Sequence, residues 1–277
     1  MMECIHELTP IPKAIATRLA HLVRIHMAIG EFPPAITTWI RTHDFAAVDR
    51  VIDAHIDQMI LSSAKELDVE IQTCRVLWRA LPSQMAREKT KFHKTNAHTT
   101  SGAGLNEALL LLLLRNNIIK RVSRVDCPKE PIGSFVYQSQ YKFYFSDTGI
   151  FRRVASLPAS AVNLETPALS RFRGILTESY ALQTFSHYGI KSPYYWKSGN
   201  HAEVDFIIPF KHMIVPVEVK SARNVKSHSL ALYRDLYAPP LALRVSLLNL
   251  KLDENLLNIP LYLMDHIPRI ITHAPWP

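Results

Sequence analysis

The spacing of apolar residues changes along this chain, and that change limits the folds open to it. In the first part the spacing is helical. Ala14, Leu19, Leu22, Val23 and His26 fall at helix-like intervals, and Phe45, Val48, Val51, Ile52 and Ile56 repeat every 3.6 residues after the capping-type residues Thr42 and Asp44. Pro33 and Pro34 break the chain between these two segments. Residues 105–116 form a strongly apolar helical stretch, and 118–122 read as a strand. After Pro128 the pattern turns to short apolar runs. Residues 134–140, 142–145, 192–197, 203–209, 214–220, 242–248 and 260–264 are strand-like, with helical stretches at 176–188 and 229–237. Helices first and helix-punctuated strands afterwards predict an α+β or α/β chain. The order helix, basic segment, helix, strand over 74–133 is that of a winged helix-turn-helix.

Composition narrows the setting. Hydrophobic residues make up 48% and charged residues 20%, which suits packed cores and not a disordered chain. The longest apolar run, residues 108–114, is far shorter than the roughly 20 residues of a membrane span, so no membrane partner is expected. The N-terminus, with Glu3 and His6, lacks the apolar core of a secretory signal. Cys4, Cys74 and Cys127 are odd in number and far apart, which argues against a zinc knuckle or a disulfide framework and fits a reducing cytoplasm. The 32 Lys and Arg exceed the 24 Asp and Glu, for a net charge of +8, and favour an acidic partner such as nucleic acid.

The chemistry concentrates between positions 178 and 220. Asp205 lies in one apolar strand, and Glu218 and Lys220 lie in the next. Residues i and i+2 of a strand share a face, so Glu218 and Lys220 project together while Val217 and Val219 face the other way. If the strands form an antiparallel hairpin, the 210–213 segment makes its turn and Asp205 comes near Glu218. Two clustered carboxylates repel unless a cation is present, and Mg2+ takes one or two carboxylates with water and phosphate oxygens. Asp205 and Glu218 are therefore the expected metal ligands. Lys220 is expected to orient an attacking water and offset developing charge, and Glu178 is an additional ligand or holds a metal-bound water. Glu203 is a neighbouring carboxylate. The bland alternative is a cross-face salt bridge between Glu218 and Lys220.

Two basic runs suit phosphate contacts. Arg75, Arg79, Arg87, Lys89, Lys91, His93 and Lys94 form the first, opposed only by Glu88. Arg115, Lys120, Arg121, Arg124 and Lys129 form the second, around the expected wing. Arg75, Arg79, Arg87, Lys89, Lys91, Lys94, Lys120 and Arg121 are the expected DNA contacts. Trp39, Trp78 and Trp196 are expected in cores and not as base-stacking platforms.

The segment from Lys142 to Gly149, the helix around Leu176, Thr177 and Glu178, the Tyr194-Tyr195-Trp196 run, the strand around Asp205 and the Val217-to-Ser221 run resemble one known domain. It is the C-terminal domain of unknown function 4143 of prokaryotic AAA-type ATPases, which is similar to the PD-(D/E)xK restriction-endonuclease-like fold. The 13-residue step from Asp205 to Glu218 also resembles archaeal Holliday-junction resolvases. Upstream, Gly30 to Ile36 resembles the segment after the ATPase core of that group, and Val76 to Arg87 with Lys91 and Phe92 its winged helix. The resemblance implies three parts: a helical segment at 1–73 that follows a missing ATPase core, a winged helix-turn-helix at 74–133 and a nuclease-like α/β domain at 134–277. It implies Glu178, Asp205, Glu218 and Lys220 as the catalytic set and Mg2+ as the metal. No Gly-x-x-x-x-Gly-Lys-[Ser/Thr] occurs, so no ATP site is expected in this chain. The expected function is DNA binding with Mg2+-dependent endonuclease chemistry. The alternative is a catalytically inactive interaction module that partners a separate ATPase subunit or a second copy of itself.

Overall fold

The structure, a computed structural model, describes residues 1–85, 103–162, 166–190, 193–199, 202–221 and 227–273. The chain is mixed α and β, as the change of period predicts. In order it runs α1 (Met2–Glu7), α2 (Lys13–Ile29), α3 (Pro33–Thr42), α4 (Phe45–Glu66), α5 (Ile71–Met85), α6 (Ala103–Arg115), β1 (Ile119–Val125), β2 (Val136–Phe145), α7 (Thr148–Val154), α8 (Pro167–His187), β3 (Tyr194–Ser198), β4 (Ala202–Phe210), β5 (Met213–Val219), α9 (His228–Tyr237), β6 (Ala242–Ser246), β7 (Lys251–Asp253), β8 (Leu256–Pro260) and α10 (Ile267–His273). Among the described residues no helix is long and apolar enough to cross a membrane. Two compact units result. One holds residues 25–121 and 142–179, the other 1–24, 122–141 and 180–277.

The first unit is mainly helical. Pro33 and Pro34 open α3, at positions where a missing N–H costs nothing. Asp44 caps α4 by accepting from the N–H groups of Ala46 and Ala47. Val48, Ile52, Ile56 and Ile60 then form one buried stripe of α4. Fully buried Arg152 of α7 donates to the carbonyls of Ala28 and Leu157 and pairs with Asp49. Asp147 caps α7 by accepting from Ile150 N–H at 2.8 Å, and its other oxygen accepts from Glu31 N–H at 2.5 Å. Gly30 approaches this carboxylate so closely, at φ 74°, that a β-carbon there would lie 2.2 Å from Asp147 Oδ1.

The second unit is built on an eight-stranded sheet in the order β2-β1-β3-β4-β5-β6-β8-β7. The β4–β5 hairpin at its centre is antiparallel, and β5, β6 and β8 run parallel to one another. The strand pair β1 and β2, expected as a wing, lies at one end of this sheet, with β1 parallel to β3. On one face, Trp196, Val204, Ile207 and Ala242 pack with Leu230 and Tyr233 of α9. Phe206 meets Phe185 of α8 edge to face at 5.4 Å. The N-terminal segment belongs to this unit, because Ile11 exchanges both its backbone hydrogen bonds with the Asn249 side chain.

Three expectations about elements are corrected. Residues 260–264, expected as a strand, form a 3-10 helix over Leu261–His266, and the strand is Leu256–Pro260 just before it. Apolarity alone does not separate the two, and Pro260 lacks the N–H that would extend the ladder. The two strands expected at 134–140 and 142–145 are one continuous strand, since Tyr141 interrupts nothing in an extended backbone. The β7–β8 hairpin was not expected at 251–258, where charged Lys251, Asp253 and Glu254 mask the alternation.

Candidate active site

The β4–β5 hairpin turns as its sequence predicts, with Phe210 opposite Met213 and Lys211 at φ 53° in the left-handed region. The register runs back to Phe206 opposite Val217. On its other side β4 pairs with β3, where Tyr194 faces Ile207 but Trp196 faces Val204. Thus β4 carries one more residue than β3 over this stretch, and Asp205 sits inside the bulge. Such bulges re-aim side chains at functional sites. Here the Asp205 carboxylate crosses to β5, where Oδ2 accepts from Val219 N–H at 2.7 Å. That N–H belongs to the peptide that joins Val219 to Glu218. The carboxylate of Asp205 therefore lies on the Glu218–Val219 peptide, and the two acidic residues meet at the open end of the hairpin.

Glu218 is buried, at 3% exposure, on an apolar strand flanked by Val217 and Val219. Its Oε1 accepts from Lys220 Nζ at 2.5 Å and from Ser227 Oγ at 2.9 Å. Among the described residues its Oε2 is buried with no hydrogen-bond donor. A buried carboxylate oxygen without a donor is costly, by about 1–3 kcal/mol or more for a charged group. Lys220 extends the strand, since its own N–H donates to Val245 carbonyl at 2.8 Å. Glu203, on the same strand as Asp205, lies across from Lys197 with 3.9 Å between Glu203 Oε2 and Lys197 Nζ.

This donor set fits a hard divalent cation. Glu218 holds a buried oxygen without a donor among the described residues, Asp205 lies on the adjoining peptide, and nitrogen or sulfur ligands are not called for. Among the described residues no group of three or more His, Cys, Asp or Glu is arranged to hold a metal ion. A cation here would complete its shell with water and phosphate oxygens, as Mg2+ commonly does.

Glu178 lies on α8 in the helical unit, where the buried Tyr144 hydroxyl donates to its Oε2 at 2.6 Å. Ser227 is a functional candidate missed in the sequence. Its hydroxyl caps α9 by accepting from Leu230 N–H at 3.2 Å while donating to Glu218. A serine just before a helical stretch is a recognisable cap, but its bond to a residue nine positions earlier is a tertiary fact. Next to it, Ser229 Oγ accepts from Glu203 N–H at 3.2 Å, so the first turn of α9 holds both β4 and β5.

The basic residues divide. Arg79 is exposed on α5, and Arg75 on the same helix pairs with Asp57 at 2.6 Å. Lys120 and Arg121 are half-buried on β1, and burial pushes the Lys120 ammonium below its ordinary range, partly offset by Glu31. Arg115 pairs with Glu66. Arg124 is tied to Gln140, Asp126 and the Lys197 carbonyl and lies over the Tyr137 ring. Arg87, Lys89, Lys91, His93 and Lys94 lie outside the described residues. Trp78 and Trp196 are buried as expected, and half-buried Trp39 meets Phe45 at a tilt, with ring centroids 4.4 Å apart.

Comparison with known proteins adds families but no function. A family model described as domain of unknown function DUF4143 matches residues 173–263, the stretch that holds Glu178, Asp205, Glu218, Lys220 and Ser227. A second, described as domain of unknown function DUF8612, matches residues 20–161, just over half of the chain. No curated protein and no solved structure matches. The chain thus carries a DUF4143 domain toward its C-terminus and belongs to the family of the domain of unknown function DUF8612.

Proposed function

We propose that this protein binds DNA and hydrolyses phosphodiester bonds at the β4–β5 hairpin, as a PD-(D/E)xK nuclease-like domain served by a winged helix-turn-helix. The observation that carries the reading is the buried Glu218 carboxylate, with Lys220 on one oxygen, no donor on the other, and Asp205 on the adjoining peptide. Asp205 and Glu218 would hold a divalent cation. When bound, that ion would lower the pKa of water and neutralise charge on the scissile phosphate. Lys220 supplies a positive charge beside Glu218, suited to orienting the attacking water and offsetting negative charge as it develops. Helices α5 and α6 of the helical unit belong to the DNA-binding module. Arg75, Arg79, Lys120 and Arg121 contact phosphates there.

The test incubates the purified full chain with branched, single-stranded and duplex DNA in Mg2+, beside Glu218→Gln. Cleavage of at least one substrate is expected, with loss of about 100-fold or more in the variant, as for removal of a charge-stabilising group. No cleavage of any substrate, or equal cleavage by the variant, overturns the catalytic reading. No DNA retention at moderate salt, with recovery of a separate P-loop ATPase subunit in a pull-down, would assign the inactive interaction module in its place.

A further inference from the structure

Glu218 has three side-chain torsions, and the last of them sets which carboxylate oxygen faces a ligand. Lys220 alone does not stop this, because its flexible side chain is 28% exposed while that of Glu218 is 5% exposed. Ser227 differs in kind. Its hydroxyl is held by the N–H of Leu230 at the first turn of α9, a ten-residue helix packed on β4 and β5. Its one proton goes to Glu218 Oε1 at 2.9 Å. Two donors on Oε1 leave Oε2 as the remaining carboxylate oxygen, buried and, among the described residues, without a donor.

We infer that Ser227 is a positioning residue, which fixes the rotation of the Glu218 carboxylate and so presets Oε2 for a divalent cation. The inference rests on the cation-binding reading of the site. Groups that orient a metal ligand from behind typically change metal affinity by about 10- to 100-fold when removed. The hydroxyl also couples the start of α9 to the site, so a helix cap and a ligand orientation share one atom.

The test is calorimetric titration of Mn2+ into the full chain, at a temperature where each variant is folded by circular dichroism. Ser227→Gly keeps a tolerated cap residue, at a cost of only a few tenths of a kcal/mol to the helix, and removes the donor. It is expected to bind Mn2+ about 10- to 100-fold more weakly. Ser227→Thr keeps the hydroxyl and is expected to restore affinity to within about threefold, since a threonine cap is nearly as good as serine. Ser229→Ala, which removes from the same turn a hydroxyl that accepts from the Glu203 N–H, is expected to leave affinity unchanged. Equal affinity of Ser227→Gly and the parent overturns the inference and leaves the site reading intact. A loss in Ser229→Ala as large as in Ser227→Gly overturns it too, because the effect would then belong to the helix. A parent that binds no Mn2+ overturns the site reading itself, and this inference with it.

Discussion

Replacing Lys220 by Met keeps the length of the side chain and removes its charge. Glu218 would then keep one donor, Ser227, and its carboxylate would remain buried. Breaking a fully buried ion pair by removing one partner costs about 3–5 kcal/mol, and an exposed pair is worth about 0–1 kcal/mol. With one end at 5% and the other at 28% exposure, this pair lies between the two limits. A loss of roughly 2–3 kcal/mol follows, a large part of the ~5–15 kcal/mol that folding leaves. Urea unfolding followed by circular dichroism reads it directly. In the same experiment a cation should replace the missing ammonium. At about 100 times its Kd, Mn2+ would return roughly 2.7 kcal/mol to the folded state. The variant should therefore bind Mn2+ more tightly than the parent, although it loses cleavage. Lys220→Met within about 0.5 kcal/mol of the parent, the usual span of uninvolved surface changes, would refute the reasoning. So would a Glu218→Gln/Lys220→Met double variant no more stable than Lys220→Met, since removing the charge should relieve the strain of leaving it unpaired.

Two further outcomes test the helical unit. Gly30→Ala forces a left-handed residue and places a β-carbon 2.2 Å from Asp147 Oδ1, whose carboxylate is held by Ile150 and Glu31 N–H groups. A loss of at least about 2 kcal/mol is expected, a drop of roughly 4 °C or more in the melting midpoint, and a midpoint equal to the parent's would contradict this close approach. Burial raises the Asp147 carboxyl above the ordinary aspartate range, with hydrogen bonds from Ile150 and Glu31 pulling it partly back. The unfolded chain then loses this proton first as pH rises above about 4, so Asp147 lowers stability from there up to its raised folded value. Asp147→Asn should flatten that decline in melting midpoint measured against pH, and an identical slope would show that the group is not held protonated.

Local signals made much of this molecule readable. Asp44 before the α4 stripe, the paired prolines at the start of α3 and the 210–213 turn each act within a few residues, so their chemistry shows in order along the chain. The turn and the strand pattern together were enough to put Asp205 beside the strand of Glu218. The bulge at Asp205 was not readable, because it arises from β3 pairing with a different register than β5. Ser227 was readable as a helix cap but not as a partner of Glu218, since that bond depends on where α9 packs. The basic residues show the same limit. Arg75 and Arg115 look alike in sequence as open cations, yet each meets an acid distant in sequence through the fold.

Titration of Mn2+ into the parent chain, Asp205→Asn and Glu218→Gln tests the central claim most directly. One binding event is expected in the parent, weakened at least about tenfold in each variant, as loss of a carboxylate from a two-carboxylate site requires. A parent that takes up no divalent ion, or variants that bind it as the parent does, would contradict the account.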